Sequence, residues 1–297
     1  MNEVKWNDRF NIGVEGIDKA HRRLFSIVSK LISLNEDETK QQHACREGIK
    51  YFKNYTTKHF AEEEAYMKSI GYADYDIHKS LHDNMRDKTL PALEQELEEQ
   101  DYSVKSVQHF LGICVGWLNG HIMIEDHAIT GKTTKKWVHQ GSENEMASLE
   151  KAISQALDKL FRVKAQVISE HYSGEDFSSG KALCYRLTYT CADAKRPLLV
   201  YLIYGENMIL SMLSETLDQP IKKVDKTVIS AVKIISQRFM DCLSCHFVLP
   251  TRHQLQKVDM LTFAQVARLF AMEKQYPPYS LLFSTEKKDY FAFCVKN

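Results

Sequence analysis

The chain has 297 residues, 44% hydrophobic and 26% charged, and its 39 basic and 39 acidic side chains leave no net charge. That length favours two domains over one, and the composition is globular rather than disordered or fibrous. The charge balance offers nothing to nucleic acid or an anionic membrane, no apolar run spans a bilayer, and the start MNEVKWNDRF lacks a signal-peptide core, so a cytoplasmic location is expected.

Residues 18–34 place Leu24, Val28 and Leu31 on one helical stripe, with Asp18 as the expected N-cap. Residues 40–68 continue the pattern through Phe52, Tyr55 and Met67, and the turn SIGYADY follows. A third helix is predicted from near Asp74, kinking or breaking before Pro91. A fourth runs from about Ser103 to Asp126 and carries Val107, Phe110, Cys114, Trp117 and Leu118. Four helices with short connections predict an all-α, up-down four-helix bundle over residues 1–132. A polar linker is expected over 133–146. From 147 to 297 the pattern becomes α+β: a helix at about 146–162, strands near 183–190 and 197–204, helices near 206–217 and 222–240, and β-rich stretches at 245–249, 279–284 and 289–295.

Seven of the twelve histidines precede His127, and several fall at helical spacing. His21 lies on the first predicted helix, His59 and Glu63 on the second, His78 and His82 on the third, and His121 and Asp126 on the fourth. A step of four residues returns a side chain to nearly the same helix face, so His59 with Glu63, and His78 with His82, each aim at one spot. His21, His59 and His121 continue apolar stripes, where an unpaired polar group is costly and metal ligation would remove the cost. The step from His121 to Asp126 overshoots a turn, so on spacing alone Glu125 competes with Asp126. Five imidazoles and two carboxylates are too many for one tetrahedral zinc ion and suit a bridged pair of iron ions. His43, His109, His127 and His139 have no matching partner and are expected at the surface or at helix ends.

The order of these residues, with the opening WNDRFNIGVEGIDKAHRRLF, resembles the bacterial hemerythrins over residues 4–130. The resemblance implies two non-haem irons with an oxo or hydroxo bridge, and dioxygen as the ligand. His78, His82 and His121 would hold one iron. His21 and His59 would hold the other and leave one position open, while Glu63 and Asp126 bridge the pair. Trp117 and Leu118 would line the oxygen pocket, although their spacing alone equally fits core packing.

In the second half, MILSMLSETLDQPIKKVDKTVISAVKIISQRF and the closing PPYSLLFSTEKKDYFAFCVKN resemble the CheX/CheC chemotaxis phosphatases. That family uses an Asp or Ser, a Glu four residues on and an Asn three beyond. The matching positions here are Ser230, Ile234 and Gln237. Ile234 cannot form the ion pair that the Glu makes, so the expectation is a non-catalytic CheX-like module. It would bind a response regulator or other chemotaxis protein, or form a homodimer. The whole chain is then read as an oxygen sensor, with an oxygen carrier or an oxygen-regulated phosphatase as the alternatives. Cys242, Cys245 and His246 match a c-type haem attachment pattern, but that pattern needs export, so all seven cysteines are read as reduced thiols.

Overall fold

A computed structural model describes residues 8–35, 41–132, 145–170, 172, 174–175, 181–191, 196–243, 253–271 and 279–296. The chain divides into two compact units. One is Met1–Lys135 with Leu213–Ala231, and the other is Lys136–Met212 with Val232–Asn297. Most of the expected linker, 133–144, lies outside the described residues, as do the expected strand at 245–249, His139, Cys245 and His246. Among the described residues no helix is long and apolar enough to cross a membrane.

The first unit is a helical bundle. Its helices are α1 (Glu15–Asn35), α2 (Gln41–Ser69), α3 (Tyr75–Asn84), α4 (Leu90–Glu99), α5 (Val104–His121) and the short α6 (His127–Ile129). Helix α1 buries Ile17, Leu24, Val28 and Leu31, and α2 buries Cys45, Ile49, Phe52, Thr56, Phe60 and Met67. Steps of three, four and seven keep each set on one continuous stripe. Thr56 rather than Tyr55 takes the buried place on α2, because its hydroxyl is satisfied by the Phe52 carbonyl at 2.9 Å. Gly48 lets α2 close on α1, since a methyl group there would lie 2.6 Å from Leu31 Cδ2.

One expectation about helix ends is corrected and another is narrowed. Asp18 is not the N-cap of α1, which starts at Glu15. Its buried carboxylate instead accepts the Ile12 and Gly13 backbone N–H groups, at 2.6 and 3.1 Å, and ties the incoming chain to the first turn. Of the kink or break expected before Pro91, the break does not occur, but the helix is irregular there. A π segment, Met85–Thr89, joins α3 to α4, and Thr89 and Leu90 keep right-handed helical dihedrals. Proline has no N–H and its ring crowds the carbonyl four residues back. The wider turn accommodates this without ending the helix.

The second unit holds one six-stranded sheet in the order β1-β5-β6-β3-β2-β4, with every neighbouring pair antiparallel. The strands are β1 (Ala165–Ser169), β2 (Ala182–Cys191), β3 (Leu198–Gly205), β4 (His253–Leu261), β5 (Tyr279–Thr285) and β6 (Tyr290–Lys296). The helices are α7 (Glu145–Phe161), α8 (Glu206–Leu217), α9 (Lys226–Cys242) and α10 (Phe263–Ala271). Helices α8 and α9 each run across the division between the units. Alternation along the strands separates two faces. Tyr204, Phe291 and Phe293 meet Phe161 of α7 and Phe239 of α9. Tyr201, Ile203, Ala292 and Cys294 face the other way, in a cluster with Val266 of α10. Strands β1 and β4 and helix α10 go beyond the predicted elements. The expected α+β class, following a helical bundle, is what the chain adopts.

Candidate metal centre

Four helices and one π segment deliver seven polar side chains to the middle of the bundle. His21, Glu63, His78, His82 and Asp126 are fully buried, His121 is 1% exposed and His59 2%. The side chains form two groups. His78 Nε2 and His82 Nε2 lie 3.1 and 3.0 Å from His121 Nε2. His21 and His59 form the other group, with ring centroids 4.8 Å apart.

The two carboxylates stand between these groups and divide their oxygens. Glu63 Oε1 faces His78 and His82 at 2.8 and 3.6 Å, while its Oε2 faces His59 and His21 at 3.3 and 3.9 Å. Asp126 Oδ1 faces His121 and His78 at 3.0 and 3.4 Å, while its Oδ2 faces His21 at 3.2 Å. Glu63, His78, His82 and His121 could hold one ion, and His21, His59 and Glu63 another.

The π segment Ile122–Asp126 explains how a five-residue step reaches the same site. In an α-helix residue 126 would overshoot the face of His121. The π turn pairs i with i+5, so the carboxylate returns to that face.

Both oxygens of Glu63, both oxygens of Asp126 and both ring nitrogens of His21 are buried without a hydrogen bond. Neighbours lie close but are not aligned to donate. A buried polar group left unsatisfied costs about 1–3 kcal/mol, so the six side chains of the cluster that carry such atoms, His21, His59, Glu63, His78, His121 and Asp126, need another partner. Imidazole and carboxylate donors fit divalent transition-metal ions, iron among them. The arrangement fits two cations sharing two carboxylates.

Burial works against charge on the imidazoles of His21, His59, His78 and His82. At His21 and His78 the facing Asp126 and Glu63 carboxylates outweigh it and push the pKa up to about 9. At His59 and His82 burial prevails, reinforced by the neighbouring imidazoles, and holds the values at about 4 and about 2. Burial alone would raise the Glu63 and Asp126 carboxyls. The surrounding imidazoles hold both well below the ordinary carboxylate range.

An outer layer fixes the rings. Trp117 stacks on His121 at 4.1 Å, and Phe60 stacks on His82 at 4.0 Å. His82 Nδ1 meets Glu64 Oε1 at 3.1 Å. Leu118 is buried in α5. Sequence reasoning missed Phe60 and Glu64, whose spacing of four was the available signal. His43 is exposed, and His109 is half-buried against Glu96 at 2.6 Å. His127, expected at the surface or at a helix end, opens the short terminal helix α6 and is buried at 8% exposure.

In the second half, Ser230 is buried, and Ile234 and Gln237 are half-buried on α9. Cys184, Cys242 and Cys294 are buried there, as Cys45 and Cys114 are in the bundle.

Residues 12–132 match the hemerythrin HHE cation-binding domain family. A bacteriohemerythrin of Clostridium acetobutylicum is 36% identical over 124 residues, which is 41% of this chain and 94% of that protein. Among solved structures, a Desulfovibrio vulgaris Hildenborough protein assigned to chemotaxis is 9% identical, with a TM-score of 0.34. The match covers 53% of this chain and all of that one. A chain of the CheX-CheY-BeF3-Mg complex from Borrelia burgdorferi is 10% identical, with a TM-score of 0.32, covering 52% of this chain and 99% of that one. Likeness of that degree leaves the activity of the second half open.

Proposed function

This chain belongs to the hemerythrin family through its first half, and from that membership we propose that it binds dioxygen reversibly at a pair of iron ions. The observation that carries the reading is the division of oxygens on Glu63 and Asp126, each carboxylate turning one oxygen to each histidine group. His78, His82 and His121 would hold one iron and His21 and His59 the other, with Glu63 and Asp126 shared. The metal pair supplies the electrons and the coordination position that a protein side chain lacks.

This chain's residues do the rest. The side with two imidazoles has one donor fewer than the side with three, which leaves space there for a small ligand. Trp117 and Phe60, stacked on the imidazoles, keep the three-histidine side dry and rigid. Glu64 orients His82 through its second nitrogen, as carboxylates commonly do for metal-bound imidazoles. Optical spectra of the anaerobically reduced protein test the reading. A charge-transfer band should rise when oxygen is admitted and vanish on purging. Bleaching that does not reverse would point to oxidation instead of carriage, and no band would end the proposal.

The finer reading is that oxygen occupancy is passed to the second half, which contacts a chemotaxis or two-component partner. It is supported by the joining of a ligand-binding bundle to a separate α+β unit, and by the sequence pattern around Ser230 and Gln237. Ile234 stands where a phosphatase would need a carboxylate, which favours binding over catalysis. Binding of a cognate response regulator, compared between oxygenated and deoxygenated protein, decides it. Equal affinity in both states would leave a carrier or store.

A further inference from the structure

Helix α5 is buried on nearly every side beyond its first turn. From Ser106 to His121 all but two residues are buried, the exceptions being Gln108 and His109. A bundle helix normally keeps one face in water, so a helix buried on every side has an additional neighbour. That neighbour lies within the same compact unit: Leu213–Ala231, the end of α8, its loop and the start of α9.

The contact with this segment is built at three points. At Gly112 of α5 a methyl group would run into the Thr227 carbonyl oxygen and lie 2.6 Å from Ser230 Cβ, so only glycine permits the approach. Asp225 caps α9 by accepting the Val228 N–H with Oδ1 at 3.0 Å, while its Oδ2 accepts from Gln108 of α5 at 3.1 Å. Ser29 of α1 donates to the Leu217 carbonyl at the end of α8, at 2.7 Å. The bundle therefore helps to finish both helix ends of the segment, groups that would otherwise need another partner. Thr227 and Ser230 are 8% and 5% exposed in this position.

We propose that Leu213–Ala231 is the element that reads the state of the metal centre, docked on α5 when the centre is filled and loosened when it is not. This rests on the metal-binding reading above. Gly112 and His121 lie on one helix, nine residues apart, a rise of about 14 Å. The π segment that sets Asp126 follows directly, so a change at the centre that shifts α5 also shifts the surface beneath Thr227. The segment continues into α8 and α9, which carry its movement onward. Release exposes Thr227 and Ser230, the start of the face where the sequence pattern places a partner.

Hydrogen exchange of the full chain, with iron measured on every sample, tests this. Removing iron with a chelator should raise exchange across 213–231 and leave β3 and β6 unchanged. In iron-loaded protein Gln108→Ala should raise exchange in the segment roughly tenfold, the effect of losing one hydrogen bond to a charged group. Gly112→Ala should raise it further. Coupling is reciprocal, so both variants should also bind iron several-fold more weakly in equilibrium competition with the chelator, although neither residue touches the centre. Unchanged exchange in 213–231 on iron removal overturns the proposal. So does raised exchange in the variants with wild-type iron affinity, which would leave the segment docked but uncoupled. Failure of the wild-type chain to hold iron would instead overturn the metal reading, and the iron measurement separates the two.

Discussion

Asp126 Oδ1 lies 3.0 Å from His121 Nε2, although the two are five positions apart in the chain, because the backbone between them is a π turn. The π turn decides which of two adjacent acids faces the imidazoles. Asp126→Ala should therefore lower the iron content from two ions per chain to one or none, while Glu125→Gln keeps two. Metal analysis of both purified variants checks this. Two irons in Asp126→Ala, or loss in Glu125→Gln, would reverse the assignment.

Glu64 reaches the centre only through His82. Glu64→Gln should keep the fold and both metal positions but weaken iron binding about 10–100-fold, the usual effect of losing a carboxylate behind a ligating imidazole. Competition with a chelator of known affinity measures it. Wild-type affinity would show that the 3.1 Å contact does not tune the site.

The stacked rings should matter to stability as well as to the ligand. Phe60→Ala and Trp117→Ala should each cost about 3–5 kcal/mol, the range for emptying an aromatic site in a packed core. Leucine at either position should recover part of that. Denaturant titrations read the stability, and the decay of the oxygen-bound spectrum reads the entry of water. Faster decay with intact stability would place the residue in the ligand's surroundings rather than in the core alone.

Metal uptake should release protons. His21 and His78 sit near a pKa of about 9 in the metal-free protein, so both carry a proton at pH 7, whereas His59 and His82, near 4 and 2, do not. Coordination needs neutral imidazoles. Iron binding at neutral pH therefore displaces protons, its affinity falls as pH falls, and acidification favours the empty site. A pH indicator in weakly buffered solution follows the release. Uptake without acidification would contradict the protonation described here.

Much of this centre was legible because helical spacing is a strong signal. His59 with Glu63, and His78 with His82, are each four apart and converge as read. His21 lies on the stripe of Leu24 and Val28 and is buried with them. The choice between Glu125 and Asp126 was not legible, because a π turn leaves no mark in residue spacing. Asp18 reads as a cap by residue type, but its carboxylate binds backward to Ile12 and Gly13, a relation that depends on the loop. The role of 213–231 was invisible for another reason. Gly112 reads as a weak point inside a helix until Thr227 is seen against it. Strand β4 has its residues 254–257 exposed on both faces, so it lacks the alternation that reveals a strand.

Magnetic measurement of the iron-loaded, oxidised protein, with iron counted per chain, bears most directly on whether Glu63 and Asp126 are shared between two ions. Two irons per chain that are coupled to each other, giving no signal from an isolated ferric ion, are the predicted result. One iron per chain, or two that behave independently, would contradict it.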